Sequence, residues 1–130
     1  MVSSVATFDC PCGSTRSYAE CCDPWHAGIP APDALSLMRS RYSAYVLRNE
    51  QYLLATWHSS TRPDSIPFNP NVKWLGLRIV ASRVTGDASA EVEFVARSRA
   101  SNAAAVRLHE RSRFVLEGGR WFYVDGDLLA

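Results

Sequence analysis

The sequence predicts an α+β fold: two helices that precede and cover an antiparallel β-sheet, with a small metal-dependent knuckle at the N-terminal end. Three observations carry this. The four cysteines crowd into Cys10-Pro11-Cys12-Gly13 and Cys21-Cys22. Apolar residues then recur at helical spacing between Asp33 and Trp57. From Leu75 onward the period changes to two, with glycine-bearing turns between the alternating runs.

The cysteine segment is too short to bury a core of its own. Thiolates bind zinc tetrahedrally, and a structural site takes four ligands with no open position, which Cys10, Cys12, Cys21 and Cys22 supply. Pro11 stiffens the first pair and Gly13 permits a sharp turn behind it. Ser17 and Glu20 have capping-box spacing, so a helical turn is expected from Ser17, carrying Cys21 and Cys22 back to the first pair. Tyr18 is placed to cover the metal, and His26 is an alternative to Cys22 as fourth ligand or else a free surface histidine. The competing reading is disulfides, since the count is even. Pairing within either couple would close a strained ring, and Met1 to Asp9 has neither the basic start nor the apolar run of an export signal. A cytoplasmic chain keeps its thiols reduced, so metal is expected, and adjacent ligand pairs favour zinc over an iron–sulfur cluster.

Pro24, Gly28, Pro30 and Pro32 read as a linker, dividing the chain into 1–28 and 29–130. Asp33 is a cap for a helix whose apolar positions are Leu35, Met38, Tyr42, Tyr45 and Val46, with Arg39, Arg41 and Arg48 at other positions around it. A shorter helix is expected from about Asn49 to Trp57, on Tyr52, Leu53 and Trp57, and Thr61 to Asn71 reads as loop. The inward rows of the sheet are expected to be Leu75, Leu77, Ile79 and Ala81, then Ala90, Val92, Phe94 and Ala96, then Val106, Leu108, Ser112, Phe114 and Leu116. Gly118-Gly119 is a hairpin turn into a last strand, Trp121 to Val124. Hairpin connections throughout imply a meander.

Composition excludes several classes. Hydrophobic residues at 47% and charged residues at 21% describe a globular chain. No apolar stretch approaches the ~18 residues that a bilayer span needs. The formal net charge of +1 gives no global attraction to nucleic acid. There is no Gly-rich phosphate loop, nucleophile elbow or paired-carboxylate spacing.

Two resemblances follow from these residues. Cys10-Pro11-Cys12-Gly13-Ser14, Tyr18 and Cys21-Cys22 resemble the SEC-C zinc motif, best known from the tail of the SecA translocase ATPase. The resemblance implies Cys10, Cys12, Cys21 and Cys22 as zinc ligands and a protein or ribosome partner for the knuckle. The basic residues usual between the motif's halves are reduced here to Arg16, and Glu20 precedes Cys21. Helices followed by an antiparallel sheet resemble the nuclear transport factor two-like (cystatin-type) fold. Leu37-Met38-Arg39-Ser40-Arg41-Tyr42-Ser43-Ala44-Tyr45, Thr56-Trp57-His58, Glu93-Phe94-Val95-Ala96, His109-Glu110-Arg111-Ser112-Arg113-Phe114 and Tyr123-Val124-Asp125-Gly126 are similar to the YchJ-like family. That likeness implies a curved, cone-shaped sheet but no reaction.

Outside the cysteines, Glu110 is the unusual residue, since it shares its side of the strand with Leu108, Ser112 and Phe114. A carboxylate there needs an arginine or hydrogen-bond donors. Pairing with Arg39 or Arg41 is the structural expectation. The alternative puts Glu110 in a pocket of the cone, with Arg39, Tyr42, Trp57, His58, Trp121 and Tyr123 as the other candidate lining residues, for a small-molecule ligand or substrate. On the opposite face, Arg107, His109, Arg111 and Arg113 are expected to be neutralised by Glu91 and Glu93, a phosphate- or RNA-contacting stripe being the alternative. A homodimer through the sheet is a further expectation, and no membrane association is.

Overall fold

The computed structural model describes residues 8–129. Its long helix, α2 (Ala34–Leu47), begins at Asp33, whose side chain accepts the Ser36 N–H at 2.7 Å. It ends at Arg48 in the left-handed region (φ 57). Asn49 then caps α3 (Glu50–Ala55) by accepting the Tyr52 N–H at 3.1 Å, so the corner between the helices is two caps back to back. The loop expected from Thr61 to Asn71 has no regular structure. Strands β1 (Val72–Gly86), β2 (Ser89–Ala100), β3 (Val106–Glu117) and β4 (Arg120–Leu128) form one sheet in the order β1-β2-β3-β4, every neighbour antiparallel. Gly118 and Gly119 (φ 57 and 78) make the last turn, the paired positive φ that a two-residue hairpin requires.

β2 keeps its expected inward row, with Ala90, Val92, Phe94 and Ala96 buried, and on β3 Ser112 and Phe114 are buried, but Val106, expected inward, is exposed where the strand begins beyond the helices' cover. β1 keeps only part of its row: Leu77 and Ile79 face the core as expected, but with register shifts between Trp74 and Gly76 and between Ile79 and Ala81, Trp74 takes the place of Leu75 and Ala81 is exposed. Each irregularity moves the alternation out of phase and bends the strand over the helices, which unbroken period-two counting cannot see.

The N-terminal segment is packed into the same core. Cys10, Cys12 and Cys22 belong to one buried cluster with Leu37, Met38, Tyr42, Val92 and Phe114. Pro24 opens a short helix, α1 (Asp23–His26), where its missing N–H is no loss. His26 is neither free nor turned to the sulfurs: one ring nitrogen meets the Tyr18 hydroxyl at 2.6 Å and the other the Ser40 carbonyl at 2.8 Å. A carbonyl only accepts, so Nε2 carries the proton and Nδ1 accepts from Tyr18. The linker signal therefore marks a tethered turn, held to α2 by a histidine.

Candidate metal centre and interior cavity

The knuckle is a small hairpin. Tyr18 N–H donates to Phe8 O (3.0 Å), Cys10 N–H to Arg16 O (2.9 Å) and Gly13 N–H to Cys10 O (3.2 Å), with Asp9 bridged to Ser17. Gly13 at φ 80 makes the reversal, and its backbone lies so near β1 that a Cβ there would stand 3.5 Å from Leu77 O. A 3₁₀ turn, Tyr18–Glu20, follows as expected, although Ser17 makes no side-chain cap. It delivers Cys21 and Cys22.

The four Sγ atoms lie within 4.8 Å of one another. Cys12 and Cys21 sulfurs are 3.6 Å apart, Cys21 and Cys22 sulfurs 4.0 Å. A tetrahedral thiolate cage with metal–sulfur bonds of ~2.3 Å has sulfurs ~3.8 Å apart, so the donor set and spacing fit a metal ion. The thiols are free and unbridged. Cys12 is 0% exposed, and only Cys21 has substantial access to solvent. The surroundings suit negative sulfur. The Ser43 hydroxyl sits between Cys10 Sγ (3.4 Å) and Cys22 Sγ (3.3 Å), and Ser14 Oγ meets Cys21 Sγ at 3.1 Å. Arg39 donates to Cys12 O at 3.0 Å, with its guanidinium 3.9 Å from the Cys12 sulfur. Hydrogen bonds from Cys10 and Cys22 hold the Cys12 thiol far below its ordinary range. Those same contacts with Cys10 and Cys12 push Cys22 far upward, and burial pushes Cys21 up. Close sulfurs thus stabilise one negative charge and oppose the rest, so a fully deprotonated set requires a cation at its centre.

Tyr18 does not lie over the sulfurs with its hydroxyl. Its ring stacks on Phe8 (5.2 Å) and its oxygen is committed to His26, with burial pushing that phenol up to about 12.

A second feature lies between α2 and the concave face of the sheet: a cavity of about 240 Å³. Its polar lining is Arg41, Tyr42, Tyr45, Glu110, Ser112 and Tyr123. Among the sequence candidates, Tyr42, Glu110 and Tyr123 line it. Arg39 is turned to Cys12, Trp57 packs edge-on against Tyr123, His58 pairs with Glu117 at 2.9 Å, and Trp121 lines a separate groove. The expected ion pair of Glu110 with Arg39 or Arg41 does not form. Glu110 instead accepts from Ser112 Oγ at 2.6 Å and from the Tyr123 hydroxyl at 3.3 Å. Hydroxyl donors two residues along the same strand (Ser112) and on the neighbouring β4 (Tyr123) reach the carboxylate directly; a helix-borne arginine must cross the cavity. Gly126 makes room, since a Cβ there would overlap the Glu110 carboxylate.

Arg41, read from the sequence only as a partner for Glu110, is the charged cavity residue that the lining candidates lacked. It is 4% exposed, yet carries no carboxylate partner among the described residues. Its Nη1 donates to Leu53 O (2.8 Å) and Thr56 Oγ1 (2.7 Å), and its guanidinium lies 5.0 Å from the Trp57 ring and 4.6 Å from the Tyr123 ring. Burial draws its pKa down, while tyrosines and Glu110 oppose the shift. The one signal available in sequence was its spacing: Arg41 lies three residues after Met38 and four before Tyr45, on the apolar side of the helix.

Fold and site together define a class: a small α+β protein with a four-cysteine knuckle fixed to its first long helix. Residues 33–126 match the family described as the YchJ middle, NTF2-like domain. A UPF0225 protein from Polaromonas is 57% identical over 127 residues, covering 91% of each chain, and one from Bordetella pertussis is 58% identical over 123 residues, covering 92% of each. The solution structure of a SEC-C motif containing protein from Rhodopseudomonas palustris superposes with a TM-score of 0.82 at 31% identity, covering 95% of this chain and all of that one. The chain belongs to the YchJ-like family of UPF0225 proteins. Among the described residues no helix is long and apolar enough to cross a membrane.

Proposed function

We propose that the four cysteines hold a zinc ion whose role is structural, and that the knuckle it shapes is a docking module for a protein or ribosome partner in the cytoplasm. The carrying observation is the closed set of four sulfurs, three of them buried, within 4.8 Å. Such a set leaves no position for substrate, which separates structural from catalytic zinc. Docking is supported by the surface beside the knuckle. Phe8 and Ile29 are exposed apolar residues, and a groove of about 330 Å³ runs from Trp25 and Ile29 past Tyr52 to Trp121 and Phe122.

Metal analysis should give about one zinc per chain, with the colourless spectrum that excludes an iron–sulfur cluster. Cys12→Ser should release the ion. Cosedimentation with ribosomes and cross-linking to their proteins test docking. Phe8→Asp with Ile29→Asp should abolish both at unchanged zinc content, and unchanged association would overturn the docking role. Point substitutions are needed because deleting residues 1–28 would strip Cys10, Cys12 and Cys22 from the core.

A second reading, small-molecule binding in the interior, is favoured by one observation: Arg41, a buried cation without an ionic partner, lines the cavity together with Glu110. A compact organic acid would satisfy it, its carboxylate taking the guanidinium's unused N–H groups. Benzoate should raise the melting temperature of the wild type, and Leu108→Trp, which fills the cavity, should remove the effect. No shift with benzoate or other small carboxylates would discard this reading.

A further inference from the structure

The outer face of the sheet sorts its charge along the strands. Toward the β1–β2 and β3–β4 turns the basic residues face carboxylates, Arg111 standing opposite Glu93 and Asp127 in register. Arg83 pairs with Glu91 (2.8 Å), His109 with Glu93 (2.7 Å), and Arg113 with Asp125 and Asp127 (2.6 and 2.7 Å). Toward the β2–β3 turn the basic residues do not. Lys73 stands opposite Arg99, Arg97 opposite Arg107, and Arg78 opposite Val95. All five basic side chains, Lys73, Arg78, Arg97, Arg99 and Arg107, are exposed, and none makes an ion pair or side-chain hydrogen bond among the described residues. Like charges set directly opposite one another destabilise a sheet. β2 and β3 carry outward carboxylates away from this end, Glu91 and Glu93 on the one and Glu117 on the other, so the segregation is not a shortage of acid in the chain.

We propose that this end of the outer face binds the phosphate backbone of duplex RNA. Guanidinium groups match phosphate oxygens in pairs, and the patch is almost wholly arginine. No aromatic side chain shares the patch: Trp74 and Phe94, on the same strands, turn to the core. A face that reads unstacked bases needs aromatic platforms, so the fitting ligand is a duplex contacted through its backbone. Ribose is favoured over deoxyribose by the turn at this end, where Asn102, held at φ 60, presents an exposed amide suited to a 2′-hydroxyl. The inference stands apart from the metal-dependent docking surface: either can fail without the other.

Fluorescence anisotropy of a labelled blunt RNA duplex of about 16 base pairs tests it. For the wild type, the logarithm of the association constant should fall linearly with that of salt concentration. Arg97→Gln with Arg107→Gln should weaken binding about tenfold or more in low salt and make the slope shallower by about two. The matched end serves as control: Arg83→Gln should leave the affinity unchanged. Zinc content and the circular-dichroism melt should be the same in all variants. The proposal is overturned if the wild type does not bind, or if the double variant binds as well with the same slope. Equal binding of a DNA duplex, polyglutamate or phosphatidylglycerol vesicles would also overturn it.

Discussion

Replacing Gly126 by alanine tests how Glu110 is held. The backbone at Gly126 suits any residue, but a Cβ there would overlap Glu110 Oε2 and stand 2.8 Å from its carboxyl carbon. The carboxylate is the end of a flexible side chain and can swing away. Swinging away breaks the Ser112 bond at 2.6 Å and the longer Tyr123 bond at 3.3 Å. A hydrogen bond to a charged group contributes about 1.5–3 kcal/mol and the longer one less, so the loss is about 2–4 kcal/mol. The reduced freedom of the unfolded chain returns about 0.4–1 kcal/mol. The net expectation is a destabilisation of about 1–3 kcal/mol, lowering the melting temperature by about 4–12 °C for a chain of this size. Chemical denaturation measures the first figure and calorimetry the second. In a Glu110→Ala background Gly126→Ala meets no carboxylate and should be neutral or slightly stabilising, and the difference between the two backgrounds is the coupling. If Gly126→Ala is equally harmless in both, Glu110 is not anchored by Ser112 and Tyr123, and the account of this carboxylate fails.

Two further outcomes follow from the same contacts. Ser43→Ala removes the hydroxyl shared by two cysteine sulfurs and should weaken zinc binding about 10–100-fold in a chelator competition, leaving the far-ultraviolet spectrum intact. Burial lowers the His26 pKa, with the Ser40 carbonyl and Asp23 opposing; Tyr18 and Tyr52 are the other titratable groups facing it. The unfolded chain therefore binds a proton more readily than the folded one. The stabilisation from neutral His26 should be complete above about pH 6.5 and decline as pH falls toward the depressed folded value. Comparing urea midpoints of wild type and His26→Asn from pH 8 to pH 5 should show the gap narrowing in acid; a constant gap would mean that His26 does not titrate against folding.

Much of the fold was legible in local pattern. The cap Asp33, the start of the second helix near Asn49, the shift from helical to alternating period, and the glycine pair at 118–119 each depend on a few residues, so sequence order is enough to read them. The crowding of Cys10, Cys12, Cys21 and Cys22 likewise announces their convergence, because short turns can bring them together without the rest of the chain. Failures came where alternation was interrupted. The irregularities in β1 left Leu77 and Ile79 on the core as expected but put Trp74 there in place of Leu75 and turned Ala81 to solvent. Ser17 had the spacing of a capping box without making the bond.

What sequence order determined by itself is therefore the inventory: the element types, the turns, and a sulfur cluster that can chelate. What only tertiary packing decided is which partner each polar group meets. Ser43 reaches two sulfurs of the knuckle from α2, Glu110 is met by Ser112 and Tyr123 rather than an arginine, and Arg41 lies enclosed between aromatic rings. Strand and helix types follow from the few residues around a position, whereas the partner of a buried charge depends on the relative placement of segments far apart in the chain. Several candidate donors satisfy the same chemical rule, and only their distances in the folded molecule choose among them.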